Sequence, residues 1–116
     1  MARKTDKARN RIDDIQFMSA IARIIGKYDS GKVATQAKIA ENMEAHGYPM
    51  PANRQWNTIM RLKSYSYLTS DWEMEGVNHW YDEDGKRHRR LPGKRGYVLT
   101  ILGWHELENA THSDAN

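Results

Sequence analysis

From Ile12 onward, apolar residues recur at helical spacing. Ile12, Ile15, Met18, Ala22 and Ile25 fall on one row, with Ile21, Ile24 and Tyr28 beside it. Three-to-four spacing on one face predicts an amphipathic helix over about 13–28. Asp13 and Asp14 suit its start, where acids meet the positive end of the helix dipole, and Gly26 with Lys27 suits its end. Residues 1–11 are polar and basic without apolar periodicity, which predicts a flexible arm. Asp29 to Lys32 reads as a loop, and Val33-Ala34 as a short β-bridge.

Thr35 is a predicted N-cap for a second helix carrying Ala37, Ile39, Ala40, Met43 and Ala45 and ending at Gly47. Gly47-Tyr48-Pro49-Met50-Pro51 cannot continue it, since each proline removes a donor and restricts its predecessor. A third helix is expected from an Asn53 cap to about Ser64. Its apolar positions Trp56, Ile59, Met60 and Leu62 are taken as the inward side, which leaves Arg54, Gln55, Asn57, Thr58 and Arg61 outward.

Ser66-Tyr67-Leu68-Thr69 has strand composition. Trp72, Met74, Val77, Trp80 and Tyr81 then alternate with acids along one arm of a long hairpin. Asp82-Glu83-Asp84-Gly85 is a turn signal, with Asp-Gly favouring a tight reversal. Pro92-Gly93 and Gly96 interrupt the returning arm before a second strand, Gly96 to Thr100. Thr100 is a predicted cap for a last helix over 101–109, anchored by Leu102, Trp104 and Leu107. Residues 111–116 read as a disordered polar tail, so the folded unit is 12–110.

This order resembles the winged helix-turn-helix superfamily. Thr35-Gln36-Ala37-Lys38-Ile39-Ala40-Glu41-Asn42-Met43 is similar to its second helix, and Trp56-Asn57-Thr58-Ile59-Met60-Arg61-Leu62 to its third. Tyr97-Val98-Leu99-Thr100-Ile101-Leu102-Gly103 is similar to its closing Leu-Thr-x-x-Gly stretch. The likeness covers about residues 13–108. It departs in a longer, proline-rich turn at 47–51 and a longer wing at 71–96. The resemblance implies an α+β, mainly helical fold: a three-helix core, a β-hairpin wing and a C-terminal helix. It also implies double-stranded DNA as partner, with the third helix in the major groove and the wing on the flanking backbone.

Charge sharpens that expectation. The net charge is only +3, but residues 1–11 hold five bases and one acid, residues 71–84 six acids and no base, and residues 86–95 six bases and no acid. Basic segments on a small domain point to nucleic acid. Arginine pairs with guanine, and asparagine or glutamine with adenine. The candidate base readers are therefore Arg54, Gln55, Asn57, Thr58 and Arg61. The wing cations Lys86, Arg87, Arg89, Arg90, Lys94 and Arg95 suit phosphates, as do the arm cations Arg3, Lys4, Lys7, Arg9 and Arg11. A competing arrangement pairs the acidic and basic blocks across the hairpin, where each exposed pair contributes about 0–1 kcal/mol.

Composition removes other classes. The chain has 116 residues, 39% of them hydrophobic and none of them cysteine. That suits one domain and excludes disulfides, cysteine nucleophiles and thiolate zinc sites. No apolar run reaches the roughly 20 residues that span a bilayer, so no membrane is expected, and the place expected is the cytoplasm or nucleoid. His46, His79, His88, His105 and His112 lack ligand spacing, and no phosphate loop or nucleophile elbow occurs. No enzyme, metal or cofactor is expected.

Trp56 and Trp104 read as core, and Trp72, Trp80 and Tyr81 as an aromatic acidic surface. The leading expectation is a small transcriptional regulator. A phage or mobile-element source suits its size and lack of a sensor domain. The alternatives are a protein-docking winged helix that uses 71–81 and an RNA binder that uses its arginines. A homodimer would use the first and last helices.

Overall fold

The computed structural model describes residues 4–27, 31–74, 79–89 and 92–114. Arg3, Tyr28, Asp29, Val77 and Arg90 lie outside the described residues. The order is α1 (Lys4–Ile24), α2 (Gln36–Ala45), α3 (Ala52–Ser64), β1 (Leu68–Met74), β2 (His79–Tyr81), β3 (Arg87–Arg89), β4 (Pro92–Leu99) and α4 (Ile101–Asp114).

α1 is the hub and packs against α2, α3, α4 and β4. Its Phe17, Met18 and Ile21, with Ile25 just past its end, are buried with Ile39 and Met43 of α2, Ile59 and Leu62 of α3, Leu68, Leu99 and Leu107. Of the apolar row read from the sequence, Met18, Ile21 and Ile25 lie in the core, and Ile15, Ala22 and Ile24 pack partly buried against it. Ile12, however, is 48% exposed, and Phe17, outside that row, is fully buried. The helix also begins earlier than the row. Residues 4–11, expected as an unstructured arm, are helical and continuous with α1. Asp13 and Asp14 consequently sit mid-helix, not at its start.

Thr35 caps α2 as expected, accepting from the Lys38 N–H at 3.3 Å. The chain then turns through Gly47, whose φ of +80° is the left-handed conformation that glycine adopts freely. α3 is capped by Pro51 and not by Asn53, with no side-chain cap bond.

β1 and β4 pair antiparallel from Leu68 opposite Leu99 to Trp72 opposite Arg95, and an irregularity leads to Met74 opposite Pro92. The Val33-Ala34 bridge is present, with Ala34 exchanging both backbone bonds with Tyr97 at 3.0 and 2.8 Å. β2 and β3 form a second ladder. The expected turn closes it: Gly85 takes φ +78°, and the Asp82 carboxylate accepts from the N–H groups of Asp84 and Lys86.

The Leu-Thr-x-x-Gly stretch has a local physical cause. Thr100 donates its hydroxyl to the Ser66 carbonyl at 2.5 Å and accepts from the Gly103 N–H at 3.0 Å. Gly103 lies so near the chain that a Cβ there would fall 2.1 Å from the Tyr67 carbonyl oxygen. α4 is longer than expected and takes up residues 111–114 of the presumed tail. Leu107 anchors it and Trp104 packs partly buried on the core, but the expected anchor Leu102 is 57% exposed.

Candidate nucleic-acid interface

α3 is turned by about one residue from the expected orientation. Its buried positions are Gln55, Thr58, Ile59 and Leu62. Gln55 donates to the Met50 carbonyl at 2.6 Å and accepts from Gln36 at 3.2 Å. The Thr58 hydroxyl donates to the Arg54 carbonyl at 2.8 Å. Neither side chain is placed to read a base. Trp56 and Met60, expected in the core, are instead 53% and 51% exposed.

Arg54 and Arg61 also point inward, onto α1. Arg54 spans both oxygens of Asp13, from Nη2 at 2.6 Å and from Nε at 3.2 Å. The Tyr48 hydroxyl donates to the same carboxylate. Arg61 approaches Asp14 through Nη2 at 2.8 Å and Nε at 3.1 Å, and its Nη2 also donates to Thr58.

The two carboxyls feel their sites differently. Burial works to raise Asp13, but hydrogen bonds from Arg54 and Tyr48, with the charges of Arg54 and Arg61, outweigh it and hold the carboxyl below its ordinary value. Burial raises Asp14 above its ordinary value despite its bond to Arg61. The hydrogen bond to Asp13 keeps Arg54 firmly protonated. A charged seam thus joins α3 to α1, and beside it a cleft of about 410 Å³ opens between Lys7, Arg11, Arg61 and Tyr65.

What α3 presents to solvent is Asn53, Trp56, Asn57, Met60 and Ser64, at helical spacing along one face. Of the expected readers, Asn57 alone lies on it. The stripe Arg54-Thr58-Arg61 was visible in the sequence as a same-face polar row, and two adjacent acids on the first helix were its natural partners. Pairing those would have oriented α3 and exposed Asn53, Trp56 and Met60.

The wing keeps Lys86, Arg87 and Arg95 exposed. Its backbone register pairs Tyr81 with Arg87, Trp80 with His88 and Trp72 with Arg95, and the Arg95 guanidinium lies 5.9 Å from the Trp72 indole centre. One acid–base contact across the turn is Asp82 with His88 at 2.7 Å, and this bond holds the Asp82 carboxyl low. Glu73 instead accepts from the Val33 N–H at 3.3 Å. Arg89 and Lys94 belong to β3 and β4. On α1, Lys4 begins the helix, Lys7 and Arg9 are exposed, and Arg11 pairs with Glu106 of α4 at 2.5 Å. Among the described residues, no helix is long and apolar enough to cross a membrane.

No protein-family model matches the sequence, and no curated protein matches it. In structure the chain is similar to the X-ray structure of a PadR-like transcription factor from Bacteroides fragilis. The two are 16% identical with a TM-score of 0.62, over 94% of this chain and 85% of that one. With α1 to α3 packed as a body, a strand-paired wing behind α3 and α4 closing the core, the fold of this chain is the winged helix.

Proposed function

We propose that the protein binds double-stranded DNA as a transcriptional regulator, with the outward face of α3 in the major groove and the wing cations on the backbone. The observation that carries this reading is α3 itself: Arg54 and Arg61 clamp it to Asp13 and Asp14 of α1, and it turns a mixed amide and apolar face without acids outward. A groove-width helix presented rigidly is what direct readout needs. The likeness to a structure described as a transcription factor supports the same reading. Arg54 and Arg61 then act by positioning α3, and Asn53, Trp56, Asn57 and Met60 are the groove residues. Lys86, Arg87 and Arg95 take phosphates, and Lys7 and Arg9 are further candidates for them.

Fluorescence anisotropy with a labelled random duplex at two salt concentrations tests the reading. The expected result is dissociation constants of roughly 1–100 μM that weaken steeply with salt. Absence of duplex binding at low salt overturns it. A second reading, protein docking on the hairpin, is favoured by Tyr81 at 67% exposure. It predicts that Tyr81→Ala abolishes capture of a partner while leaving duplex affinity intact.

A further inference from the structure

The outward row of α3 has a composition of its own. Asn53 and Asn57 stand one turn apart, and Trp56 and Met60 stand one turn apart beside them. At 1.5 Å per residue the two carboxamides are about 6 Å apart along the helix axis, close to two base-pair rises. Arginine, the usual partner of guanine, is missing from this row because Arg54 and Arg61 are folded onto Asp13 and Asp14. Lys63 is held elsewhere, 5.4 Å from the centre of the Tyr97 ring.

Asn53, Asn57, Trp56 and Met60 each match one edge of an A·T pair. A carboxamide offers a donor and an acceptor to adenine N7 and N6, and an apolar surface suits the thymine C5 methyl. A dry protein partner would strip water from both carboxamides, which is costly unless each finds a bond. The outward face carries no acid to repel a polyanion. We infer that α3 reads A·T steps in the major groove, with Asn53 and Asn57 on adenine edges and Trp56 and Met60 against thymine methyls. The inference rests on the DNA-binding reading above and adds the base class that it selects.

The full chain is titrated against four labelled duplexes of equal length: alternating A·T, A·U, I·C and G·C. Uracil removes only the methyl. Inosine gives the minor groove of an A·T pair and the major groove of a G·C pair. A·T is expected to bind tightest, with A·U weaker by about 4-fold for each methyl engaged and I·C equal to G·C. Asn57→Ala is expected to shrink the preference for A·T over G·C by roughly 5- to 150-fold. Trp56→Ala is expected to narrow the difference between A·T and A·U, and Trp56→Ala with Met60→Ala to abolish it; circular dichroism checks that each variant is folded.

Equal affinity for A·T and G·C overturns the inference and leaves the DNA-binding reading standing. So does I·C binding as well as A·T, which would mean reading through the minor groove. Equal affinity for A·T and A·U removes the thymine contact and overturns the assignment of Trp56 and Met60. No binding to any duplex overturns the DNA-binding reading and the inference together.

Discussion

Arg54 and Asp13 are 41 residues apart in sequence and meet in a two-point ion pair on a carboxylate whose side chain is 2% exposed. The pair fixes the entry of α3 against the middle of α1. Arg54→Ala leaves that carboxylate buried with Tyr48 as its remaining described hydrogen-bond partner and the Arg61 charge nearby. Because Arg54 is itself partly solvated, the expected loss is about 2–4 kcal/mol, somewhat below the roughly 3–5 kcal/mol of a fully buried pair. Urea denaturation measures it. In a double-mutant cycle, Asp13→Ala with Arg54→Ala is expected to lose less than the sum of the two single changes.

Asp13 and Asp14 should pull the acid response in opposite directions. Asp13 is held low in the fold, so its contribution is complete above its unfolded value, about 3.9, and is lost as pH falls through the lower folded value. Asp14 is held high, so the fold gains from its protonation as pH falls through its raised value. Asp14→Asn is therefore expected to steepen the loss of stability on acidification, and Asp13→Asn to make it shallower. Urea midpoints between about pH 3 and pH 6 give the two slopes. Equal slopes would show that the two sites do not differ as described.

The two faces of α3 should answer differently to truncation. Ile59→Ala removes a fully buried side chain and is expected to lose about 2–5 kcal/mol. Trp56→Ala and Met60→Ala are expected to change stability by less than about 1 kcal/mol, as exposed positions do. Thermal melts of the three variants check it. A large loss at Trp56 would restore the inward orientation first read from the sequence.

Gly103→Ala is expected to destabilise by about 1–3 kcal/mol or more, since the new methyl meets the Tyr67 carbonyl in the backbone and neither atom can swing aside. Thr100→Ala removes the cap and the tie to Ser66, for about 1 kcal/mol. Both are read from the midpoint of chemical denaturation.

At the wing, Lys86→Ala with Arg87→Ala is expected to weaken binding to all duplexes alike. The log–log salt slope should flatten by up to about 2 if both cations neutralise phosphates. A loss confined to one sequence would make these two side chains base readers.

Much of the architecture was legible because it follows local rules. Met18, Ile21 and Ile25 have helical spacing, Thr35 caps its helix, Asp82-Gly85 turns and Thr100 restarts the chain. Periodicity failed where the inward face of a helix is polar. On α3 the sequence offers Trp56 and Met60 as apolar anchors, yet the fold buries Gln55 and Thr58 and draws in two arginines. What decides this is a long-range pairing with Asp13 and Asp14, which no local pattern contains. The start of α1 was missed for a related reason: residues 4–11 have no apolar stripe, but they extend a helix nucleated by the core that follows, and Arg11 reaches Glu106.

On the DNA-binding reading, the charged seam under α3 has a consequence for how the chain could change its target. An apolar seam tolerates rotation of a helix about its own axis, whereas two guanidinium forks on two fixed carboxylates set the angle. The residues that hold α3 are thus separate from those it displays. Asn53, Trp56, Asn57 and Met60 can be exchanged without touching Arg54, Arg61 or their partners. The helix is a plug with a fixed pin and an interchangeable face, and a new face would be presented at the old angle.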